Sequence, residues 1–207
     1  MADNINISGA GQGYKLATKD VSNVHYVKTI GYNSSGAELF SGTNALGLVG
    51  GFNAIVAGSV TRPADTTAYA FGDLVANSTT AGSVTPISLS MSRSAGLGGM
   101  VRRVRLRKTS TSITNASFRI HFYRSSPTCS NGDNGAWLTN QSANYVGAVD
   151  ITCDRAFTDG ASGNGVPNVG SELNFTSDTY YALIEARGAY TPGNAEVFTV
   201  ELEVLRN

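Results

Sequence analysis

Histidines, cysteines and clustered carboxylates carry most protein chemistry, and this 207-residue chain holds few of the first two. The histidines are His25 and His121. A hydrolytic triad needs a base that a carboxylate orients beside a nucleophile, and no G-x-S-x-G elbow is present to supply one. His25 falls in an early strand pattern and His121 alternates outward between Arg119 and Tyr123, so both read as surface or packing residues. Cys129 and Cys153 are too few to build a tetrahedral metal site alone. With no C-x-x-C motif they read as small packed thiols, a disulfide between them being the alternative. Gly9-Ala10-Gly11-Gln12-Gly13 fits neither phosphate-binding fingerprint. Asp133, Asp150, Asp154 and Asp159 lack the spacing of a calcium loop and read as turn residues. The pattern therefore predicts no catalytic residue, no cofactor and no metal, and the chain reads as non-enzymatic.

One charge anomaly stands out. Arg102, Arg103, Arg105, Arg107 and Lys108 place five of the chain's fifteen basic groups within seven positions. Alternation sets Val104 and Leu106 on one face of a strand and Arg103, Arg105 and Arg107 on the other. Two readings are compatible: a docking face for an acidic partner, or cross-strand compensation by Glu201 and Glu203, which alternate outward on the last strand. Such pairs contribute about 0.2–1 kcal/mol each.

Composition bounds the class. Fifteen basic and fifteen acidic residues give a formal net charge of zero, and only 14% of the chain is charged. Solubility must therefore come from Ser, Thr, Asn and Gly, and the 24 glycines suit many tight turns. A balanced charge argues against nucleic acid as a direct partner. No segment approaches the roughly 18–20 apolar residues that span a bilayer, so no membrane partner is expected. Residues 1–12 lack the basic and apolar regions of a signal peptide, which predicts synthesis in the cytoplasm.

The elements that must position these residues are strands. Alternating runs occur at Val24–Ile30, Ala54–Thr61, Ala68–Ala76, Val84–Met91, Met100–Lys108, Ala116–Arg124, Tyr145–Ile151, Thr179–Arg187 and Glu196–Leu205. In the clearest, Phe118, Ile120 and Phe122 point inward while Arg119, His121 and Tyr123 point outward. No 3.6-residue period is present, so the expected fold is all-β: an antiparallel β-sandwich, most economically a jelly roll. Residues 24–207 form that single domain, and residues 1–23 are an extended polar arm with too little apolar surface to order on its own. Residues 127–143 and 154–172 read as long polar connections. The glycine-broken apolar stretch at 44–52 reads as a tucked loop or a docking insert.

Four stretches carry a resemblance: Ala17-Thr-Lys-Asp-Val-Ser-Asn-Val-His-Tyr26, Arg62-Pro-Ala-Asp-Thr-Thr-Ala-Tyr-Ala-Phe-Gly-Asp-Leu-Val-Ala-Asn77, Phe118-Arg-Ile-His-Phe-Tyr123 with Pro127-Thr128, and Tyr145-Val-Gly-Ala-Val-Asp-Ile151. Together they resemble virion structural proteins of tailed bacteriophages, most closely capsid decoration (cement) proteins. The resemblance implies a homotrimer on the capsid exterior that binds the major capsid protein and stabilises the shell across capsomer junctions. It carries over no functional residues. The residues that could make such contacts are Tyr14, Lys15, Lys19 and Asp20 of the arm, Leu46, Leu48 and Phe52 of the apolar stretch, and Arg103, Arg105 and Arg107. The competing expectation is a tail or baseplate sandwich that binds host-cell glycans through grouped aromatics, with Trp137, Tyr145 and Tyr190 the candidates.

Overall fold

The computed structural model describes residues 5–9, 12–21, 24–29, 52–93, 97–168 and 173–206, up to Phe52 by backbone pairing only. The chain divides into two compact units, Met1–Gly50 and Gly51–Asn207.

In the first unit β1 (Ile5–Gly9), β2 (Gln12–Val21) and β3 (Val24–Thr29) form an antiparallel meander, with Ile5 opposite Leu16 and Lys19 opposite Tyr26. Alternation alone places the division after residue 23 and gives Val24–Ile30 to the sandwich. In the structure β3 pairs with β2, and the division falls at Gly50–Gly51. Alternation marks a strand but does not name its partner. Two residues separate each run from the next, and connections that short pair neighbouring strands locally.

The second unit contains β4 (Phe52–Thr61), β5 (Leu74–Val75), β6 (Ile87–Ser90), β7 (Gly99–Lys108), β8 (Ser117–Tyr123), β9 (Tyr145–Thr152), β10 (Arg155–Phe157), β11 (Gly160–Gly165), β12 (Asn174–Phe175), β13 (Thr179–Ala186) and β14 (Val197–Arg206). Sheet I has the order β10-β11-β7-β14-β4, with β12 also on β7. Sheet II has the order β5-β13-β8-β9, with β6 also on β13. All pairings are antiparallel, and most connections cross from one sheet to the other. The resulting order, β4-β14-β7-β11 over β6-β13-β8-β9, is that of a jelly roll.

The alternating patterns explain the core. Val104 and Leu106 of β7 and Phe198, Val200, Leu202 and Val204 of β14 face Phe118, Ile120 and Phe122 of β8 and Ala182, Ile184 and Ala186 of β13, all buried. Phe118 packs edge-on against Phe198 and Tyr190, with centroids 5.3 Å away in each case. Tyr190 is fully buried there, its hydroxyl bonded to Glu196 and Lys108, so it is a core residue and not a surface aromatic.

Several strand assignments differ from the alternation pattern; of Val84–Met91, for example, only Ile87–Ser90 is strand. Of Ala68–Ala76 only Leu74–Val75 is strand: the preceding loop meets β13 only through Gly72 N to Ala186 O and Ala186 N to Asp73 O, and side-chain bonds from Arg62 to Tyr69 and from Ala70 N to Asp73 brace it further. Within 154–172, where polarity predicts a connection, Gly-Ala-Ser-Gly-Asn-Gly forms β11. Its glycines weaken any local strand signal, yet they are what the site requires. A β-carbon on Gly163 would overlap the carbonyl of Thr152 in β9, so only glycine lets the two sheets approach at this edge. At the opposite edge a β-carbon on Gly58 of β4 would lie 2.5 Å from Ile87 Cγ2 and 2.8 Å from Ser88 O of β6.

Candidate functional site: the two outer faces of the sandwich

The outer face of sheet I carries the basic strand. β7 and β14 pair so that Arg105 lies opposite Glu201 and Arg103 opposite Glu203. Arg103 Nη2 reaches Glu203 Oε2 at 3.1 Å. Glu201 accepts from Arg105 through one carboxylate oxygen and from Arg107 Nε through the other. Burial alone would raise the Glu201 carboxyl, but these two guanidiniums outweigh it and hold the group below its ordinary range. Cross-strand compensation is therefore real. It does not hide the arginines, whose side chains stay 50%, 44% and 53% exposed at positions 103, 105 and 107. A bulge between Glu203 and Val204 skips Arg102 in the register, and Arg102 bonds Asn53 Oδ1 of β4 instead.

Of the other predicted contact residues, Tyr14, Lys15, Lys19 and Asp20 occupy β2, with Tyr14 opposite Ile7, Lys15 opposite Asn6 and Asp20 opposite His25. Phe52 opens β4 opposite Arg206. Leu46 and Leu48 lie outside the described residues.

The outer face of sheet II is built differently. His121 and Tyr123 do point outward from β8, as alternation requires, but they are buried, because residues 124–144 fold back over them. That segment closes on itself through Ser130 N to Leu138 O at 2.9 Å and Asn140 N to Thr128 O at 3.2 Å. It is stitched to the β5 end of the sheet by Trp137 N to Gly72 O at 2.7 Å and Leu74 N to Gly135 O at 2.8 Å. Beneath it Leu74, Ala76, Tyr123, Cys129 and Leu183 form a second apolar cluster, with Trp137 packed against it.

His121 organises the centre of this face. Its ring stacks on the Trp137 indole, centroids 4.0 Å apart and planes 17° off parallel. Nε2 lies 2.9 Å from Glu185 Oε2 and Nδ1 lies 3.2 Å from the Tyr145 hydroxyl. A carboxylate accepts only, so the neutral ring donates from Nε2 and accepts the Tyr145 proton at Nδ1. Burial keeps this histidine below its ordinary 6.5, despite the opposing influence of Glu185. Arg187 braces the other oxygen of Glu185 at 3.0 Å and covers the exposed ring of Phe71 at 4.0 Å.

Between the segment and β8–β9 lies a cleft of about 290 Å³, lined by Tyr123, Trp137, Thr139, Asn140, Ser142 and Tyr145. A bulge at Phe122/Tyr123, where Tyr123 opposes Tyr145 and Phe122 opposes Gly147, re-aims Tyr145 at the start of β9. Gly147 has φ 153°, which favours glycine. On the rim Gln141 adopts a left-handed conformation, φ 68° and ψ 34°, and accepts from Asn144 Nδ2 at 2.6 Å. Such a backbone costs about 1–3 kcal/mol and concentrates at binding sites. Trp137 Nε1 is buried without a hydrogen-bond partner among the described residues, a cost of about 1–3 kcal/mol.

The covering segment is anchored by a buried ionic cluster. Asp133 accepts from Arg62 Nη2 at 3.0 Å, Tyr69 OH at 2.7 Å and Ala76 N at 2.8 Å, while Arg62 Nε donates to Tyr69 OH at 2.9 Å. Every member has a partner. Local sequence makes Asp133 a turn former, since the Arg62 that needs it lies 71 residues away.

The cysteines are free and buried in separate clusters, and burial pushes both thiols up to about 11. Among the described residues no three or more His, Cys, Asp or Glu side chains are grouped to hold a metal, and no helix is long and apolar enough to cross a membrane. A larger hollow of about 370 Å³ beside Gly98, Gly99, Met100 and Phe175 has no titratable side chain in its wall. Compared with known proteins, the chain matches no family model and has no significant match among curated proteins.

Proposed function

We propose that this chain is a bacteriophage capsid decoration protein, which binds the exterior of the head through the outer face of sheet I and stabilises the shell across capsomer junctions. The observation that carries the reading is the arginine row of β7. Arg103, Arg105 and Arg107 are each held in place by Glu201 or Glu203 yet remain about half exposed. Three arginines share two glutamates in that row, and the exposed Arg102 beside it bonds only the neutral Asn53 among the described residues, so positive charge is left in excess there. A guanidinium has five N–H donors in a rigid fork, and the intrachain pairs use only some of them. The row is thus pre-organised for carboxylates on a partner surface, where ordering flexible side chains is a main cost of binding.

The jelly-roll body and the resemblance to cement proteins support the same reading. The proposed partner is the major capsid protein, and the proposed assembly is a trimer of the 21.6 kDa chain. Three modest contacts on one trimer add by avidity. Co-sedimentation with expanded shells tests the proposal. The intact protein should pellet with them, and the triple variant Arg103→Ala, Arg105→Ala, Arg107→Ala should stay in the supernatant while keeping a cooperative unfolding transition. Retention of the triple variant on shells would refute the docking face. A copy number matching the capsomer lattice places the protein on the head, and a far smaller one places it on the tail.

A further inference from the structure

We propose that the cleft formed by Tyr123, Trp137, Thr139, Asn140, Ser142 and Tyr145 is a binding site for a neutral saccharide. This inference is independent of the docking face, because the cleft lies on the outer side of sheet II and the arginine row on the outer side of sheet I.

The lining chemistry selects the class. A sugar ring offers an apolar C–H face and a rim of hydroxyls that both donate and accept. The cleft answers with three aromatic rings and three small polar side chains, and no charged side chain lines it. Tyr and Trp suit this task because each joins a broad apolar body to a polar tip. The Ser142 hydroxyl and the Asn140 amide nitrogen make no hydrogen bond among the described residues, whereas Asn140 Oδ1 is held by Thr128 N at 2.8 Å. Donors and an acceptor are therefore unspent beside aromatic surface.

The volume, about 290 Å³, is at the low end of ligand sites and fits one or two rings. The walls are already set. His121 holds the Trp137 indole by stacking and Tyr145 through its hydroxyl, and Tyr123 OH meets Thr139 Oγ1 at 2.7 Å. Tyr145 remains 41% exposed in spite of these contacts, as a residue awaiting a ring would. An organic cation would call for a carboxylate in the lining, and a nucleotide would call for a cation to meet its phosphate. Neither is there.

An array of immobilised neutral hexoses, N-acetylhexosamines and their short oligomers, probed with the full chain, tests the proposal. At least one should bind, and free choline or adenosine monophosphate should not compete. Trp137→Ala should weaken binding by about tenfold or more, the loss expected for one ring contact. Because Trp137 also packs on the second cluster, Ser142→Arg is the companion variant. Ser142 is exposed and braces nothing with its side chain, so this change should fill the cleft, abolish binding and leave the unfolding midpoint unchanged. Absence of binding to every saccharide, competition by choline or the nucleotide, or full binding by Ser142→Arg would each overturn the assignment. The arginine triple variant should bind saccharide normally, so failure of one proposal is distinguishable from failure of the other.

Discussion

On the outer face of sheet I, Arg105 and Glu201 lie directly opposite one another on neighbouring strands and meet at the edge of water. On the outer face of sheet II, His121 and Glu185 hold one another beneath the indole of Trp137. Both faces belong to the same jelly roll and both carry outward polar residues, yet one stays open and flat while the other is roofed and hollowed. The difference lies in where the chain goes after each strand. β7 and β14 pair along almost their full lengths, so their side chains find partners across the ladder. β8 leads into a 21-residue segment that returns over its own strand, and that roof converts a sheet surface into a cleft. An open charged face suits broad docking, and a roofed aromatic one suits a small ligand.

This contrast has consequences that separate the faces experimentally. The largest is at Asp133. Removing one partner of a buried ion pair costs about 3–5 kcal/mol when the other is left uncompensated; Arg62 keeps Asp65 at 3.0 Å, so Asp133→Ala should lower urea stability by about 3 kcal/mol, the low end of that range. It should also expose the Trp137 indole to quenchers; a loss below about 1 kcal/mol would mean that the roof does not depend on this cluster.

Trp137→Ala should come next, at about 2 kcal/mol, less than full burial would give because the indole is only partly covered. Chemical denaturation measures it directly.

Acid should then distinguish the two faces by where each begins to fail. The folded His121 sits below 6.5, among Glu185, Arg119, Asp150 and Tyr145. The unfolded chain therefore takes up this proton first as pH falls. Its contribution to stability is complete above 6.5 and drains away as pH drops toward the folded value. Glu201 also lies below its ordinary 4.5, so its contribution is complete above 4.5 and is lost only at lower pH. Melting temperature should accordingly decline as pH falls below 6.5, before the Glu201 range is reached, and His121→Gln should flatten that stretch. An unchanged slope in the variant would show that another group is responsible.

The smallest effect is expected at Glu201→Gln, about 1 kcal/mol or less, shrinking further in high salt. Paired melts at low and high ionic strength would reveal it. A loss several times larger would mean that the sheet I face depends on its charges much as sheet II depends on its buried cluster.

Much of the body is legible from alternation. The inward sets on β8 and β14 and the opposition of Arg103 and Arg105 to Glu203 and Glu201 need only a two-residue period and an antiparallel neighbour. The aromatic cleft is partly legible, since Trp137 and Tyr145 stand out as candidate platforms and the structure brings them together. Tyr190 stands out with them and belongs instead to the core, because its hydroxyl is satisfied internally by Lys108 and Glu196. Nothing in the spacing marks His121 as the pedestal of the cleft. A histidine between Arg119 and Tyr123 reads as outward, and outward reads as wet until a distant segment covers it.

Local pattern thus settles what a residue's neighbours in the chain can settle: that the backbone is extended, which side chains share a face, and where turns interrupt. That β11 is a strand at all, that Asp133 answers Arg62, and that 124–144 roofs sheet II depend on partners tens of residues away. Burial is a property of the assembled surfaces, and only the closed fold decides which polar side chains lose their water.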